Sequence, residues 1–510
     1  MATTNNPAEL TDKQRSSLFW ACFISLMATS FGFAIRAMLI TEWGDEFHLS
    51  KTQMGDILGV GLWPFAISIV LFSLIIDKIG YGKAMIFAFS CHISSVVITL
   101  LANGYELLYI GTLIFALGNG TIEATINPVV ATLFKENKTK WMNVLHAGWP
   151  GGMVVSGIIA MAMGPEIKWQ YKIGLLLIPM LIYGILMLNK RFPVHERIQA
   201  GVSFRDMLRE VGILGALIIV SLMVFEVGNF FNFSLWLNIV LIIILVGAFG
   251  MYTRSLGRPL FIFLLLIMFP LATTELGTDS WIVDLMSSEM GQMGLQAGWI
   301  LIYTAAIMTV FRSIAGPLLK VFKPIGLLIL CSLVAAIALF SLSLATGILI
   351  FVAATIYGFA KAYFWPTMIG IAGERFPKGG ALTLNMITGV GMIGVGIVGA
   401  VYLGYIQDTE IDRKVLVYDQ AENTMLHSEY VTVEKKSIFG KYLSLDSEKL
   451  TTAPEEEKEI VDQIQIKSQK SALKMVAILP LVMLACFIFL FFYFRSRGGY
   501  KSIALTEGEP

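Results

Sequence analysis

Six ionisable side chains interrupt stretches of the sequence that are otherwise apolar: Arg36, Glu123, Glu275, Asp279, Arg312 and Lys361. Other polar groups recur beside them at helical spacing. Asn127 follows Glu123 by four residues, Asp279 follows Glu275 by four, and Asn143 and His146 are three apart, so each pair shares one face of a helix. A carboxylate among apolar neighbours can gain or lose a proton as its surroundings change, and an imidazole one helix away titrates near neutrality. Carboxylates and amides also take paired hydroxyls, while an aromatic ring covers the C–H face of a carbohydrate. Candidates for hydroxyls are Glu123, Asn143, Glu275 and Asn385, and candidates for stacking are Trp149, Trp281, Tyr357 and Trp365. With three cations and three anions, a balanced buried network is expected, and part of it can simply hold helices together. Arg312 is assigned that locking role, His146 is divided between proton handling and satisfying a carbonyl, and His92 is read as packing.

Other chemistries lack residues to support them. The chain has no G-x-x-x-x-G-K-[ST], H-E-x-x-H, nucleophile elbow or paired-cysteine spacing, so no enzyme, ATP-driven pump, metal site or cofactor is expected. Gly389-Val-Gly391-Met-Ile-Gly394 matches a dinucleotide pattern but lies in an apolar run with no strand before it, where close helix packing explains it. Cys22, Cys91, Cys331 and Cys486 all sit in apolar runs and read as packing residues.

The elements that must carry these groups are membrane helices. Of 510 residues, 56% are apolar and 14% charged, with a mean hydropathy of +0.74, which excludes an ordinary soluble enzyme. The 37 Lys+Arg and 36 Asp+Glu leave +1, so no basic face for nucleic acid is implied. A bilayer core needs about 20 apolar residues as helix. Fourteen such runs occur, near residues 16–40, 53–76, 83–102, 107–134, 143–163, 171–188, 211–227, 235–251, 260–286, 297–321, 326–345, 348–373, 381–406 and 472–494. The first is too long for a signal peptide and has no small-residue cleavage pattern after it. Lys and Arg gather on alternate loops, with Lys168 and Lys172 as exceptions, which predicts cytoplasmic termini. Exposing all six buried charges to lipid would cost on the order of 15 to 20 kcal/mol, so they must face a wet cavity or one another.

The halves repeat. Ser73-Leu-Ile-Ile-Asp77 and Gly316-Pro-Leu-Leu-Lys320 close two spans 243 residues apart, and Glu123 before Pro128 corresponds to Lys361 before Pro366 at 238. The expected domains are 1–190, a six-helix bundle; 191–258, a linker and an inserted transmembrane hairpin; and 259–510, a second six-helix bundle. Within the last, residues 407–470 form an extracytoplasmic insertion with 14 acidic and 9 basic residues, read first as a solvated spacer and second as a lid or docking module. Pro454 followed by Glu455, Glu456 and Glu457 is a helix-start pattern that can run on into the last span.

Asp77-Lys78-Ile79-Gly80-Tyr81-Gly82-Lys83 resembles the loop signature of the major facilitator superfamily, with Ser73 where a leading glycine is usual. Gly120-Thr-Ile-Glu123-Ala-Thr-Ile-Asn127-Pro128, Asn143-Val-Leu-His146-Ala-Gly-Trp149, Thr274-Glu275-Leu-Gly-Thr-Asp279-Ser-Trp281, Phe311-Arg312 with Gly316, and Trp365-Pro366-Thr367 are similar to the fucose/galactose/glucose proton symporter family within it. The resemblance covers both halves but neither insertion. It implies an all-α polytopic fold of two six-helix bundles, here with fourteen spans, and nominates Glu123, Asn143 and His146 for proton coupling and sugar binding. Where that family carries an Asn-Asp pair in its first helix this chain has Arg36-Ala37, and a guanidinium releases no proton in the working range. Coupling is therefore expected to rest on Glu123 or Glu275, to use another ion, or to be absent.

The resulting expectation is a proton-coupled monosaccharide symporter, monomeric, multi-pass, in a bacterial inner membrane. Its substrate would meet Arg36, Glu123, Asn127, Asn143, His146, Trp149, Glu275, Asp279, Trp281, Tyr357, Lys361, Trp365 and Asn385, and Asp77, Gly80, Lys83 and Arg312 would serve gating. The alternatives are a carrier of anionic sugars or other organic anions, a drug exporter, and a sensor that binds without transporting.

Overall fold

The computed structural model describes residues 10–49, 51–164, 166–437 and 439–505. Among the described residues thirteen helices are long and apolar enough to cross a membrane, and a pair bent by 61° at Ile314 makes a fourteenth. In chain order they are α1 (Asp12–Ile40), α2 (Gln53–Ile79), α3 (Tyr81–Leu100), α4 (Tyr105–Leu133), α5 (Lys135–Met163), α6 (Trp169–Met187), α7 (Phe204–Phe230), α8 (Leu235–Thr253), α9 (Pro259–Val283), α10 (Gly298–Ser313 with Ala315–Val321), α11 (Pro324–Leu344), α12 (Leu349–Arg375), α13 (Pro377–Glu422) and α14 (Glu455–Arg495).

Local chemistry sets the ends. Thr11 and Gln14 form a capping box at the start of α1, each side chain meeting the other's backbone N–H. Ser203 accepts the Asp206 N–H at 3.1 Å to open α7. Gly80, at φ 84°, makes the tight turn between α2 and α3, a backbone angle that glycine adopts without strain.

Helices α1 to α6 pack as one bundle and α9 to α14 as another, and α2, α4 and α5 meet α10, α12 and α13 between them. The inserted pair α7 and α8 lies outside this arrangement. Only α7 packs inward, on α2, α9 and α13, while α8 is almost wholly exposed, as a lipid-facing helix is. The termini share one face of the molecule: Arg15 reaches the Leu133 carbonyl after α4, and the Ile503 N–H donates 2.8 Å to the Glu374 carbonyl at the end of α12. On the opposite face Lys172 pairs with Glu42 at 2.7 Å and Trp169 Nε1 donates to Glu46 at 2.6 Å. That pairing explains why Lys172 stands outside the loop-charge pattern.

Three features depart from the sequence expectation. Helix α9 carries a π-helical turn at Thr273–Gly277 and α13 another at Val395–Gly399, and they pack on each other so closely that a Cβ on Gly399 would lie 2.6 Å from Thr273 Oγ1. Helix α13 extends to Glu422, well past the expected end near 406, and α14 begins at Glu455, where the proline and three acids place its start. The segment between is not a solvated spacer. Residues Leu426–Tyr430 form a short helix, β1 (Val433–Ser437) and β2 (Gly440–Ser444) form an antiparallel hairpin, and a core of Ile411, Val415, Leu426, Tyr430, Val431, Val461 and Ile464 is enclosed by the extended ends of α13 and α14.

Candidate functional site

The expected site residues divide into a cross-bundle group, two ion pairs and outliers. Glu123, on α4, is 3% exposed, and Asn127 Nδ2 lies 3.4 Å from its Oε2, one helical turn away. The same amide nitrogen lies 3.1 Å from Asn385 Oδ1 on α13, and Asn127 Oδ1 lies 3.2 Å from His146 Nε2 on α5. Asn385 Nδ2 donates in turn to Ser73 Oγ on α2 at 2.8 Å and to the Ala124 carbonyl at 3.1 Å. A single amide chain thus joins three helices of the first bundle to one of the second. Asn143 Nδ2 donates to Thr367 Oγ1 on α12 at 3.2 Å and to the Thr139 carbonyl at 2.9 Å, and its buried Oδ1 has no partner among the described residues. An unsatisfied buried acceptor is a costly feature and a natural place for a ligand hydroxyl or a water.

The acids of α9 are occupied. Glu275 Oε1 receives Arg312 Nη2 at 2.5 Å and its Oε2 receives the Trp365 N–H at 3.2 Å. Arg312 also donates through Nε to the Ala362 carbonyl at 2.6 Å and through Nη1 to the His146 carbonyl at 3.1 Å, so one guanidinium spans both bundles. Lys361 pairs with Asp279, lies 3.3 Å from Thr304 Oγ1 and stands 5.1 Å from the Tyr357 ring centroid. Tyr357 donates its hydroxyl to the Thr274 carbonyl inside the π-helical turn of α9. Among the aromatics, Trp365 is buried against Gly391, Trp281 lies beside Gly404, and Trp149 is half-buried 6.1 Å from Phe33.

Arg36 stands apart. It points into the first bundle, donating to Ser95 Oγ at 2.7 Å, with Thr99 Oγ1 at 3.4 Å and the Phe115 ring centroid 4.3 Å from its Cζ. The balanced six-charge network is therefore two ion pairs, Glu275 with Arg312 and Asp279 with Lys361, together with Arg36 and Glu123, neither of which forms an ion pair among the described residues. His92 is a satisfied core residue, between Asn119 Oδ1 at 2.9 Å and the Tyr183 hydroxyl at 3.0 Å.

On the face bearing the termini the two bundles close on each other. Glu374 Oε1 accepts the Thr139 N–H at 3.1 Å and its hydroxyl at 2.5 Å, and Lys138 Nζ donates to the Gly373 carbonyl at 2.9 Å and pairs with Glu196. Asp77 pairs with Arg197 of the linker, Gly80 makes its turn, and Lys83 is exposed. His195 is buried beside these cations. Burial, reinforced by Lys138, Arg197 and Lys135, pushes its imidazole down to about 3. Lys138, Thr139, Glu196, Arg197 and Glu374 are absent from the sequence-based candidates. One faint signal exists, since the 238-residue offset sets Glu374 opposite Glu136.

Two helix bundles, a buried polar seam between them and a charged closure at one face are the arrangement expected of a membrane carrier. The profile described as the Major Facilitator Superfamily matches residues 19–401, and the chain belongs to that family, with the many apolar helices of a multi-pass membrane protein. A TsgA homologue of Buchnera aphidicola is 26% identical over 181 residues, 35% of this chain and 47% of that protein, so the chain spans about half the length of the curated relatives it matches. A hexuronate transporter of Bacillus subtilis is 29% identical over 143 residues, 28% of this chain and 34% of its own. Among solved structures, a variant of the E. coli fucose:proton symporter FucP superposes with a TM-score of 0.57 at 13% identity, over 92% of this chain and 98% of that one. At that identity the likeness concerns the fold.

Proposed function

We propose that the protein is a secondary active transporter that carries a monosaccharide with a proton by rocking its two bundles about the Glu123 seam, with the basic, terminus-bearing face in the cytoplasm of a bacterial inner membrane. The observation that carries this reading is the state of the two central acids. Glu275 is committed to Arg312 and to a backbone N–H, whereas Glu123 forms no close ion pair among the described residues and has a long contact from Asn127. A carboxylate so placed can take and release a proton without breaking an ion pair, and each change is felt by Asn127, His146 and Asn385 on three other positions of the seam. Coupling is accordingly assigned to Glu123 alone, and Glu275 and Arg312 act as a lock.

Asn143, with its free Oδ1, and Glu123 would take sugar hydroxyls, and Trp365 or Trp149 would cover the ring face. In sealed vesicles, Glu123→Gln is expected to abolish sugar-driven alkalinisation while leaving sugar exchange measurable. Unchanged proton movement in the variant would sink the assignment. The hexuronate transporter among the relatives supports a second reading, in which the sugar is anionic. Competition by uronic acids that exceeds competition by neutral hexoses would establish it in place of the neutral sugar.

A further inference from the structure

Two adjoining cavities open on the terminus-bearing face, away from the seam. The larger, about 880 Å³, is lined by Arg15, Lys135 and Arg191 with Phe134, Trp141 and Phe192 among its walls, and Glu136 is its acid. The smaller, about 470 Å³, shares Arg15, Phe134 and Trp141 with it and continues along Phe19, Trp20 and Val144 to Ser313 of α10. Both lie in the size range of ligand pockets, about 300 to 1,000 Å³. The wall they share is rigid: Phe134 and Trp141 stack at 3.9 Å, Phe19 stands edge-on to both, and Arg15 lies 5.7 Å from the Phe134 centroid.

The charges of the larger cavity are only partly used. Lys135 Nζ donates to Gln199 at 2.9 Å, Arg15 reaches the Leu133 carbonyl and lies 3.8 Å from the exposed Asp12 carboxylate, while Arg191 is exposed and has no partner among the described residues. Cations over a cavity at the end of a membrane helix favour a phosphate-bearing anion. The second cavity decides its source. Beside the polar Asp12, Ser16, Lys140 and Ser313 its lining has an aromatic and apolar part, Phe19, Trp20, Phe134, Trp141 and Val144, with Trp20 52% exposed, and this part follows α1 and α5, where a hydrocarbon chain would lie.

We propose that this pair of cavities is a binding site for an anionic phospholipid, the headgroup phosphate between Arg15, Lys135 and Arg191 and an acyl chain along Trp20, Trp141 and Val144. The site adjoins the closure between the bundles. Residues Thr132 to Asn137 line it, and the next two, Lys138 and Thr139, hold Gly373 and Glu374 of the other bundle. A lipid bound here fixes the loop that keeps that face shut, so it favours the closed arrangement.

The test uses the full chain purified in neutral detergent, with phosphatidylglycerol, phosphatidylcholine or inorganic phosphate added, read by native mass spectrometry and thermal unfolding. Phosphatidylglycerol is expected to bind and to raise the unfolding temperature, with phosphatidylcholine and millimolar phosphate doing neither. Lys135→Gln with Arg191→Gln should bind phosphatidylglycerol roughly 30-fold more weakly, at about 1 kcal/mol per cation near an anionic lipid surface. Both side chains are exposed, and an unchanged unfolding temperature without lipid establishes that the variant is folded. Should it unfold early, Trp20→Ser, which leaves the cations in place, must weaken lipid binding in its stead. Equal responses to the two lipids, or full phosphatidylglycerol binding by the variants, would overturn the proposal. A shift produced by inorganic phosphate alone and lost in the double variant would overturn the lipid in favour of a soluble anion.

Discussion

Removing the Arg312 guanidinium is the most informative single perturbation of the seam. The side chain is 2% exposed and makes three bonds, to Glu275, to the Ala362 carbonyl and to the His146 carbonyl of the other bundle. In Arg312→Met the apolar stem is kept, but Glu275 retains only the Trp365 N–H and two buried carbonyls lose a donor. Breaking a buried pair by deleting one partner costs about 3 to 5 kcal/mol, because an uncompensated charge remains. Replacing both members removes that residual charge. Glu275→Gln with Arg312→Met should therefore recover about 2 kcal/mol of the loss, giving a coupling energy well above the few tenths typical of independent sites. Reversible unfolding in mixed SDS and neutral detergent measures both values, and transport in proteoliposomes is expected to fail in each variant because the bond to His146 is lost. A single variant as stable as the parent, or a double variant that merely adds the two losses, would refute the view that these groups form a desolvated lock.

Two further outcomes follow from the terminus-bearing face. A Cβ on Gly370 would lie 2.5 Å from Thr139 Cα, so Gly370→Ala should hold that face open, and spin labels on Asn137 and Lys378 should move apart by several ångströms; an unchanged distance distribution would count against the closure described. His195, held neutral down to about 3 against about 6.5 when unfolded, makes the folded state bind fewer protons than the unfolded state below pH 6.5. Its contribution is constant above pH 6.5 and falls as pH drops, by about 2 kcal/mol at pH 5. His195→Asn, which keeps an acceptor for the Arg197 N–H, should lose this part of the acid sensitivity, and parallel unfolding profiles for the two proteins would contradict it.

What could be read in advance depended on whether a property was local. Span number follows from about 20 apolar residues per crossing, and the start of α14 follows from Pro454 and its three acids, because both are set within one stretch of chain. The facing of a side chain is not local. Arg36 and Glu123 are equally deep in apolar sequence, yet one turns to Ser95 and Phe115 inside its own bundle and the other joins a seam between bundles. A π-helical turn such as Thr273–Gly277 adds one residue to the helical repeat and rotates everything after it, so Glu275 and Asp279 meet different cations although four residues apart. The insertion was hidden differently. Its small core draws on Ile411 and Val415 from α13 and on Val461 and Ile464 from α14, so neither the acidic hairpin region nor either helix announces a folded unit alone.

The placement of Arg36 bears on how coupling can work. Ala37 stands where the resembled family carries its acid, and Arg36, in the preceding amide's place, would at the seam add a fixed positive charge beside the substrate. It stands instead 3% exposed against α3 and α4, with Nε and Nη1 unpartnered among the described residues and the Phe115 ring taking up part of its charge. Relative to that pair the chain thus has no acid at Ala37, and the neighbouring Arg36 places no cation in the seam. Of the acids in the seam, Glu275 and Asp279 are held by Arg312 and Lys361, which leaves Glu123, among the described residues, as the carboxylate there without a close ion pair. On the proposed reading, one exchangeable group means one proton per substrate. The vesicle measurement with Glu123→Gln reads this directly: a parent protein moving two protons per sugar, or a variant still moving one, would require a second acceptor that the ion pairs of α9 do not provide.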